Sequence, residues 1–226
     1  MTWMPPADKA PVLSAVALGG QRGERPLFRR LAFSLMPGQV LWLRGRNGRG
    51  KTSLLRLLAG LSTPAAGEVQ LDGHPLRALP LSWRERLLYI AHANALKDDL
   101  SVTEALQFLG RIHAGDGEAA ATPLQITTAL ERLGIGTMRS APVRTLSQGQ
   151  RRRAALARLA LPQRPSVWLL DEPFDALDTD GIAVLNGLLR EHARAGGSVL
   201  LTSHQALSLT DPLPQPLDLD AFGVAG

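Results

Sequence analysis

The most informative stretch of this sequence is the octapeptide GRNGRGKT at residues 45–52. The apolar run VLWL precedes it at residues 40–43, and a leucine-rich helical pattern follows it and stops at Gly60. A continuous apolar run of this length is typical of a strand buried on both faces of a sheet. The stretch therefore predicts a strand, a glycine-rich loop and a helix, which together form half of a βαβ unit.

The residue types in this octapeptide suit a loop that holds phosphate groups. Gly45, Gly48 and Gly50 permit positive φ angles, so that successive backbone N–H groups can turn inward on one anion. The helix that follows adds the positive end of its dipole. Lys51 can reach the terminal phosphates, and the Thr52 hydroxyl can bind Mg²⁺. The pattern predicts a phosphate site, and an ordinary glycine-rich turn is the alternative.

Two acidic residues follow a second buried strand. The run VWLL at residues 167–170 leads directly into Asp171 and Glu172. The carboxyl ends of parallel strands lie at one edge of a sheet, so we expect Asp171 near the phosphate loop. There Asp171 can hold Mg²⁺ and Glu172 can polarise an attacking water. Acidic residues after strands are also common in turns and helix caps, and the phosphate loop favours the functional interpretation.

The sequence LSQGQ at residues 146–150 stands before three arginines, 151–153. Ser147 and Gln150 have the spacing of a capping box, which is a sufficient structural explanation. A capped helix start is also an anion site, and Gly149 permits close approach. Because one compact nucleotide site needs one phosphate loop, a second anion site suggests a role in trans. We expect one arginine to pair with acids near the site and the others to be solvated.

Composition restricts the class of protein. The chain has 226 residues, which predicts one domain or one domain with an inserted lobe. It contains no cysteine, so disulfide scaffolds, thiolate zinc sites and cysteine nucleophiles are excluded. Twenty-five basic residues against 20 acidic ones give a net charge of +5. This charge favours an anionic partner such as nucleic acid, nucleotide phosphate or a membrane surface, although a genomic bias towards arginine explains it equally well.

The sequence contains no run of the ~18 apolar residues that a membrane span needs. We therefore predict a cytosolic chain that reaches a membrane only through a partner. The first 35 residues predict two antiparallel strands, at 12–18 and 31–35, with a turn at 19–22 between them. The last residues, with Pro212, Pro214 and Pro216, are typical of an irregular tail.

Elsewhere strands alternate with helices, which predicts an α/β fold of the P-loop type with a mostly parallel sheet. Residues 93–162 predict an inserted helical lobe. We therefore expect a single domain over 1–226, with its core at 1–92 and 163–226. The expected helices lie at about 103–113, 124–133, 148–161 and 179–194.

Taken in order, these motifs resemble the nucleotide-binding subunits of ABC transporters. The resemblance rests on GRNGRGKT, LSQGQ, LLDEP, DALD at 175–178 and TSH at 202–204, and it covers nearly the whole chain. Within that superfamily, the chain is most similar to the ATP-binding subunits of cytochrome c maturation (haem exporter) complexes. This narrower similarity rests on RPLF at 25–28, LLRLLAGL at 54–61, IAH at 90–92, RRRAALARL at 151–159 and WLLDEPF at 168–174.

The resemblance implies ATP and Mg²⁺ as ligands and assigns two groups of binding residues. The nucleotide-phosphate loop would consist of Gly45, Arg46, Asn47, Gly48, Arg49, Gly50, Lys51, Thr52 and Ser53. The signature sequence that caps the γ-phosphate on the opposite subunit would contain Ser147, Gly149 and Gln150.

The resemblance also implies roles for acidic and histidine residues. Asp171 would bind Mg²⁺ together with Thr52, and Glu172 would be the catalytic carboxylate. Asp178 would lie in a loop between subunits, and His204 would be the switch histidine that contacts the γ-phosphate.

Three positions depart from the family pattern. Most members have a glutamine nine residues before a Ser/Thr that starts a helix, and counting back from Ser101 leads to His92. We expect His92 to contact a water or phosphate at the site, and a strand-end histidine with no active role is the alternative. Gln148 replaces the first glycine of the signature. No aromatic residue lies near Arg22, where the family stacks one on adenine, although a guanidinium can stack on a base.

Three functions remain open at this point. The first is a transport motor, in which a homodimer binds ATP between its subunits. Separate integral membrane permease subunits would hold it at the cytoplasmic face of the bacterial inner membrane, where hydrolysis would drive export of haem or release of a haem chaperone. The ATPase subunit of another small-substrate ABC transporter is the alternative within this class. The second is a soluble ABC-type ATPase that acts on nucleic acid or ribosomes, but such proteins usually have two ATPase units or a coiled-coil insertion. The third, a P-loop kinase or GTPase, lacks the guanine-reading Asn-Lys-x-Asp. We predict the first, with no direct nucleic-acid partner.

Overall fold

The computed structural model describes residues 10–114, 121–162 and 167–223. The predicted limits of the catalytic core at residues 1, 163 and 226 lie outside these ranges, so that division of the chain stays a prediction. Among the described residues, no helix is long and apolar enough to cross a membrane.

The described residues form strands, α-helices and short 3₁₀ turns. The strands are β1 (Leu13–Arg22), β2 (Arg25–Leu35), β3 (Val40–Arg44), β4 (Ala66–Leu71), β5 (His74–Pro75), β6 (Leu87–Ile90), β7 (Val167–Leu170), β8 (Ser198–Thr202) and β9 (Gln215–Asp218). The helices are α1 (Lys51–Leu58), α2 (Leu81–Arg84), α3 (Val102–Ala114), α4 (Pro123–Arg132), α5 (Gln148–Leu156) and α6 (Thr179–Arg194). The 3₁₀ turns lie at Leu76–Ala78, Gly136–Met138, Val143–Thr145, Ala157–Ala160 and Leu219–Phe222.

A parallel sheet with the order β6-β7-β8-β3-β9 forms the centre of the molecule. Other elements cover both faces of this sheet. Alternate residues of a strand point to opposite faces, so neighbouring residues pack into different clusters. On β7, Leu169 packs into the cluster that contains the α1 leucines, whereas Leu170 packs with α6 and the helical lobe. The predicted α/β fold with a parallel core sheet, an antiparallel part and an inserted helical lobe is confirmed.

The antiparallel sheet, β2-β1-β4-β5, corrects the predicted N-terminal strands. The expected turn at 19–22 is wrong, because β1 continues to Arg22 and the chain reverses at Gly23, where φ is +59°. Gly20 is a strand residue opposite Phe28, and a Cβ on Gly20 would lie 2.3 Å from the Phe28 Cζ atom. The glycine provides space for an aromatic ring rather than a turn.

Two further predictions are corrected at helix and chain ends. The helix expected at 148–161 stops at Leu156 and continues as the 3₁₀ turn Ala157–Ala160. The expected irregular tail contains β9, which adds an outer strand beside β3. Pro216 is accepted there because an edge strand can lack one backbone donor.

Replacing Gly20 with alanine is expected to lower the free energy of unfolding by about 1–3 kcal/mol, because the fully buried Phe28 ring has to move. Gly187, on α6, is the matched control, since a Cβ there meets nothing within 4 Å. Gly187→Ala is expected to raise the same quantity by about 0.5–1 kcal/mol. Urea denaturation measures both, and equal effects of the two variants would contradict the packing argument.

Candidate nucleotide-binding site

The glycine-rich loop between β3 and α1 wraps around the side chain of Lys51. The Lys51 Nζ atom donates a hydrogen bond of 2.8 Å to the carbonyl oxygen of Gly45. Gly50 precedes α1 with φ at +105°, and a Cβ there would lie 2.9 Å from the Leu27 Cδ1 atom. No side chain caps the start of α1, so the first N–H groups of this helix remain available to an anion.

A cleft of about 830 Å³ opens above this loop. It brings together most of the site residues that the sequence predicted. The predicted residues that line it are Arg46, Asn47, Gly48, Gly50, Lys51, Thr52, Ser53, His92, Asp171, Glu172 and His204. Gly45 and Arg49 are not among the described lining residues: Gly45 holds Lys51, and Arg49 lies against Asp220.

Asp171 is nearly fully buried at the end of β7, where two hydroxyl groups hold its carboxylate. Thr52 Oγ1 donates to Asp171 Oδ2 at 2.8 Å, and Thr202 Oγ1 donates to Asp171 Oδ1 at 3.0 Å. Hydroxyl and carboxylate oxygens are hard donors that suit Mg²⁺, which commonly uses one or two carboxylates plus substrate phosphates. Within the described ranges, no group of three or more His, Cys, Asp or Glu residues could hold a metal by itself. These oxygens therefore fit a magnesium ion that takes some of its ligands from the protein and others from a bound phosphate.

Glu172 has an unusual backbone conformation that directs its carboxylate into the cleft. Its φ angle is +49°, and its N–H donates to Thr202 Oγ1 at 2.7 Å. Its Oε2 atom accepts a 2.9 Å hydrogen bond from the backbone N–H of His204. The Oε1 atom is buried and accepts no hydrogen bond from the described part of the chain, although His204 Nε2 lies 3.5 Å away. A carboxylate oxygen without a hydrogen bond can accept one from a water that enters the cleft.

His92 and Tyr89 complete the wall of the cleft on the β6 side. The His92 side chain lines the cleft, and its Nδ1 atom lies 3.6 Å from Asp175 Oδ2. Burial raises the pKa of Tyr89 to about 12, and the nearby Asp171 adds to this shift. Sequence reasoning missed Tyr89, because an aromatic residue in a short apolar run indicates only a strand.

The arginine run 151–153 differs from its prediction, because all three side chains have partners within the chain. Arg151 pairs with Asp98 at 2.9 Å, and Arg153 pairs with Asp178. Arg152 is 2% exposed, and burial lowers its pKa. The prediction that the other arginines of this run are solvated is therefore wrong.

Arg152 joins two segments that border the cleft. Its guanidinium donates to the carbonyl oxygens of Asp171 at 2.9 Å and Glu172 at 2.6 Å. It also donates at 3.0 Å to the Ala91 carbonyl oxygen and to Asn94 Oδ1, beside His92. The helix that begins at the LSQGQ sequence thus holds both the acidic segment and the His92 segment in place.

The three signature residues Ser147, Gly149 and Gln150 lie apart from this cleft, in a second groove of about 600 Å³. Ser147 and Gln150 form the predicted capping box, with hydrogen bonds of 3.2 and 2.9 Å. A Cβ on Gly149 would lie 2.9 Å from the Ala176 carbonyl oxygen, so glycine allows the close approach of two segments. Asp178 lines the same groove and caps α6 through the Gly181 N–H.

A glycine loop on a parallel sheet, with a lysine, a threonine and two acidic residues converging above it, defines a P-loop nucleotide hydrolase. The ABC transporter family matches residues 28–175. The chain therefore belongs to the ABC transporter family, and it is an ATP-binding, ATP-hydrolysing subunit of that family. The resemblance stated from the sequence is confirmed.

Individual relatives support the same family. The chain is 46% identical over 209 residues to the cytochrome c biogenesis ATP-binding export protein CcmA of Pseudomonas syringae pv. syringae, covering 92% of this chain and 95% of that protein. It is 45% identical over 211 residues to the protein of the same name from Cupriavidus necator, covering 93% and 89% of the two chains.

Solved structures share the fold. An ABC transporter ATP-binding protein from Pyrococcus furiosus superposes with a TM-score of 0.78 at 24% identity, covering 94% of this chain and 99% of that one. A dimeric bacterial ABC transporter cassette superposes with a TM-score of 0.74 at 20% identity, covering 85% and 88%.

Replacing Arg152 with lysine is expected to lower the free energy of unfolding by about 2–4 kcal/mol, because one ammonium group cannot replace a fork of donors to buried carbonyls. Arg194→Lys is the matched control, since Arg194 is exposed and pairs with Asp211 at the surface. Its effect should stay within about 0.5 kcal/mol. Urea denaturation would contradict the role of Arg152 if both variants were equally stable.

Proposed function

We propose that this chain is the ATPase of a haem-export transporter of the cytochrome c maturation type. The proposal that the chain hydrolyses ATP in this cleft rests on one observation. The cleft is lined by Lys51, Thr52, Asp171 and Glu172 together. The transported substrate class is inferred from the relatives, which are export proteins of cytochrome c biogenesis and align with nearly the whole chain.

In this proposal the loop residues 45–53 bind the phosphates of ATP. Backbone N–H groups and the start of α1 surround the anion, and Lys51 supplies the compensating charge. Its present bond to the Gly45 carbonyl keeps the ammonium group at the loop, where a terminal phosphate can replace that acceptor. Thr52 and Asp171 would hold Mg²⁺, which neutralises charge on phosphate oxygens when it is bound.

Glu172 acts as the general base towards the attacking water. Its Oε1 atom, which lies beside His204 Nε2, accepts the proton, while the hydrogen bond from the His204 N–H fixes the other oxygen. Burial of the carboxylate strengthens its interaction with the water, because little solvent competes. The His204 ring, half-exposed beside Glu172, would contact the γ-phosphate. His92, which lies beside Asp175, would contact a water or phosphate.

The active form is a homodimer in which each ATP contacts both subunits. Support comes from the separation of the two grooves, because Ser147, Gly149 and Gln150 cannot contact a nucleotide in the cleft of their own chain. A twofold axis that places one groove over the partner's cleft creates two equal sites. ATP then bridges the subunits, and hydrolysis removes the bridge.

Integral membrane permease subunits are the proposed partners, at the cytoplasmic face of the bacterial inner membrane. The relatives that support this proposal are bacterial export proteins. No direct nucleic-acid partner is proposed. The arginines at 151–153, the feature most typical of nucleic-acid binding, have their partners within the chain.

Replacing Glu172 with glutamine keeps the shape of the side chain but removes its ability to take a proton. We expect kcat for ATP to fall at least about 100-fold, with ATP affinity unchanged and an ATP-dependent dimer visible by size-exclusion chromatography. Glu191→Gln, an exposed carboxylate paired with Arg132, should leave kcat within about twofold of wild type. Unchanged turnover in Glu172→Gln would remove Glu172 from the role of base.

A deletion strain tests the transported substrate class. Loss of the gene is expected to abolish covalent haem attachment to c-type cytochromes, measured by haem staining of membrane proteins after electrophoresis. The wild-type gene on a plasmid should restore staining, whereas the Glu172→Gln variant should not. Normal haem attachment in the deletion strain would contradict a role in cytochrome c maturation and leave ATP hydrolysis in place.

A further inference from the structure

The segment 215–223 lies directly beside the phosphate loop. β9 runs parallel to β3 up to the pair of Arg44 and Asp218, one residue before the loop begins. The 3₁₀ turn Leu219–Phe222 then contacts the loop itself. Leu219 is fully buried, and a Cβ on Gly45 would lie 3.3 Å from the Leu219 Cβ atom.

Asp220, in this 3₁₀ turn, binds the loop at two points. Its Oδ2 atom accepts a 3.1 Å hydrogen bond from the backbone N–H of Arg46. Its Oδ1 atom forms an ion pair with Arg49 Nε at 3.1 Å, and both side chains are about three-quarters buried. The Arg46 Nε atom lies 3.6 Å from Asp220 Oδ2 and contributes less, because the Arg46 side chain is 80% exposed.

Arg49 is enclosed from a second side by the backbone at Gly223. A Cβ on Gly223 would overlap the Arg49 guanidinium, and Gly223 in turn pairs with Phe28 on β2. The Arg49 side chain is thus held on the β9 side of the loop, away from the cleft that Lys51 lines.

Three cations, Arg46, Arg49 and Lys51, lie within six residues of one another in this loop. Their mutual repulsion opposes the compact loop conformation while no anion is bound. The Asp220 carboxylate offsets this repulsion from outside the cleft and fixes the Arg46 amide at the start of the loop. A loop that is ordered before ATP arrives loses less conformational entropy on binding.

We propose that Asp220 is a positioning residue that holds the phosphate loop in its binding conformation through Arg46 and Arg49. This inference rests on the proposed function, in which the loop binds ATP. Asp220 itself contacts no nucleotide, so its effect appears in binding rather than in the chemical step.

Asp220→Asn tests this role, because the amide keeps the shape and removes the charge. Fluorescence titration with a labelled ATP analogue and steady-state ATPase assays measure Kd, KM and kcat. We expect Kd and KM to rise about five- to twentyfold and kcat to stay within about twofold. Asp211→Asn is the control, since it removes an exposed carboxylate that pairs with Arg194, and it should change none of these values.

Arg49→Gln breaks the same ion pair from the loop side and keeps the proposal testable if Asp220→Asn does not fold. Its Kd should rise at least about threefold, and adding Asp220→Asn should then raise Kd by a smaller factor than in the wild-type background. The proposal is overturned if Asp220→Asn leaves Kd within twofold of wild type. It is also overturned if kcat falls while KM is unchanged, since that indicates general support of the fold.

Lys51→Ala separates this inference from the proposed function. If Lys51→Ala loses ATP binding and Asp220→Asn does not, only the role of Asp220 fails. If Lys51→Ala binds ATP as tightly as wild type, the loop assignment itself fails, and the inference about Asp220 fails with it.

Discussion

The hydrogen bond from Thr52 to Asp171 joins two segments that are 119 residues apart in the chain, and the site depends on it. It exists because β3 and β7 run parallel on either side of β8, so that their carboxyl ends lie at one edge of the sheet. The end of β8 supplies Thr202, which binds both Asp171 and the Glu172 N–H. Shifting any of these three strands by one residue would move the hydroxyl and carboxylate groups apart.

The same edge of the sheet carries backbone strain that other contacts compensate. A glutamate at φ +49° is unfavourable by itself and persists only where its surroundings hold it. Arg152 supplies much of that support, because it satisfies the carbonyl oxygens of Asp171 and Glu172 from inside the core. The buried guanidinium also bonds to the segment of His92, so a shift of α5 would displace both that segment and the acidic segment.

The predicted motifs are divided between two grooves. In our proposal, a single chain therefore cannot supply all the residues that contact one ATP. The cleft has a lysine, hydroxyl groups and carboxylates, but the signature residues line another surface. Arg153 and Asp178 connect that surface to the start of α6. A second copy is the partner whose geometry suits this arrangement, because a twofold axis brings each groove opposite the other chain's cleft.

The α/β class, the phosphate loop and the acidic pair after β7 can be predicted from short stretches of the sequence. These features are local: a buried strand requires apolar residues, and a loop around an anion requires glycine, so residues 40–52 are readable without the rest of the chain. The capping box at Ser147 and Gln150 was predicted for the same reason. The family resemblance then added His204, which lies beside Glu172 because β8 pairs with β7.

Which side chains contact one another becomes clear only from the folded chain. The sequence predicts a turn at Gly20, because no short pattern shows that Phe28 lies opposite it in a longer hairpin. Arg152 is indistinguishable in sequence from its neighbours, yet it alone of the three points into the core. Asp220 follows a proline-rich stretch that predicts only an irregular tail. It reaches the phosphate loop because β9 pairs with β3, more than 170 residues earlier in the chain. Contacts of this kind follow from strand order and burial, which are properties of the whole chain and are absent from any short stretch of it.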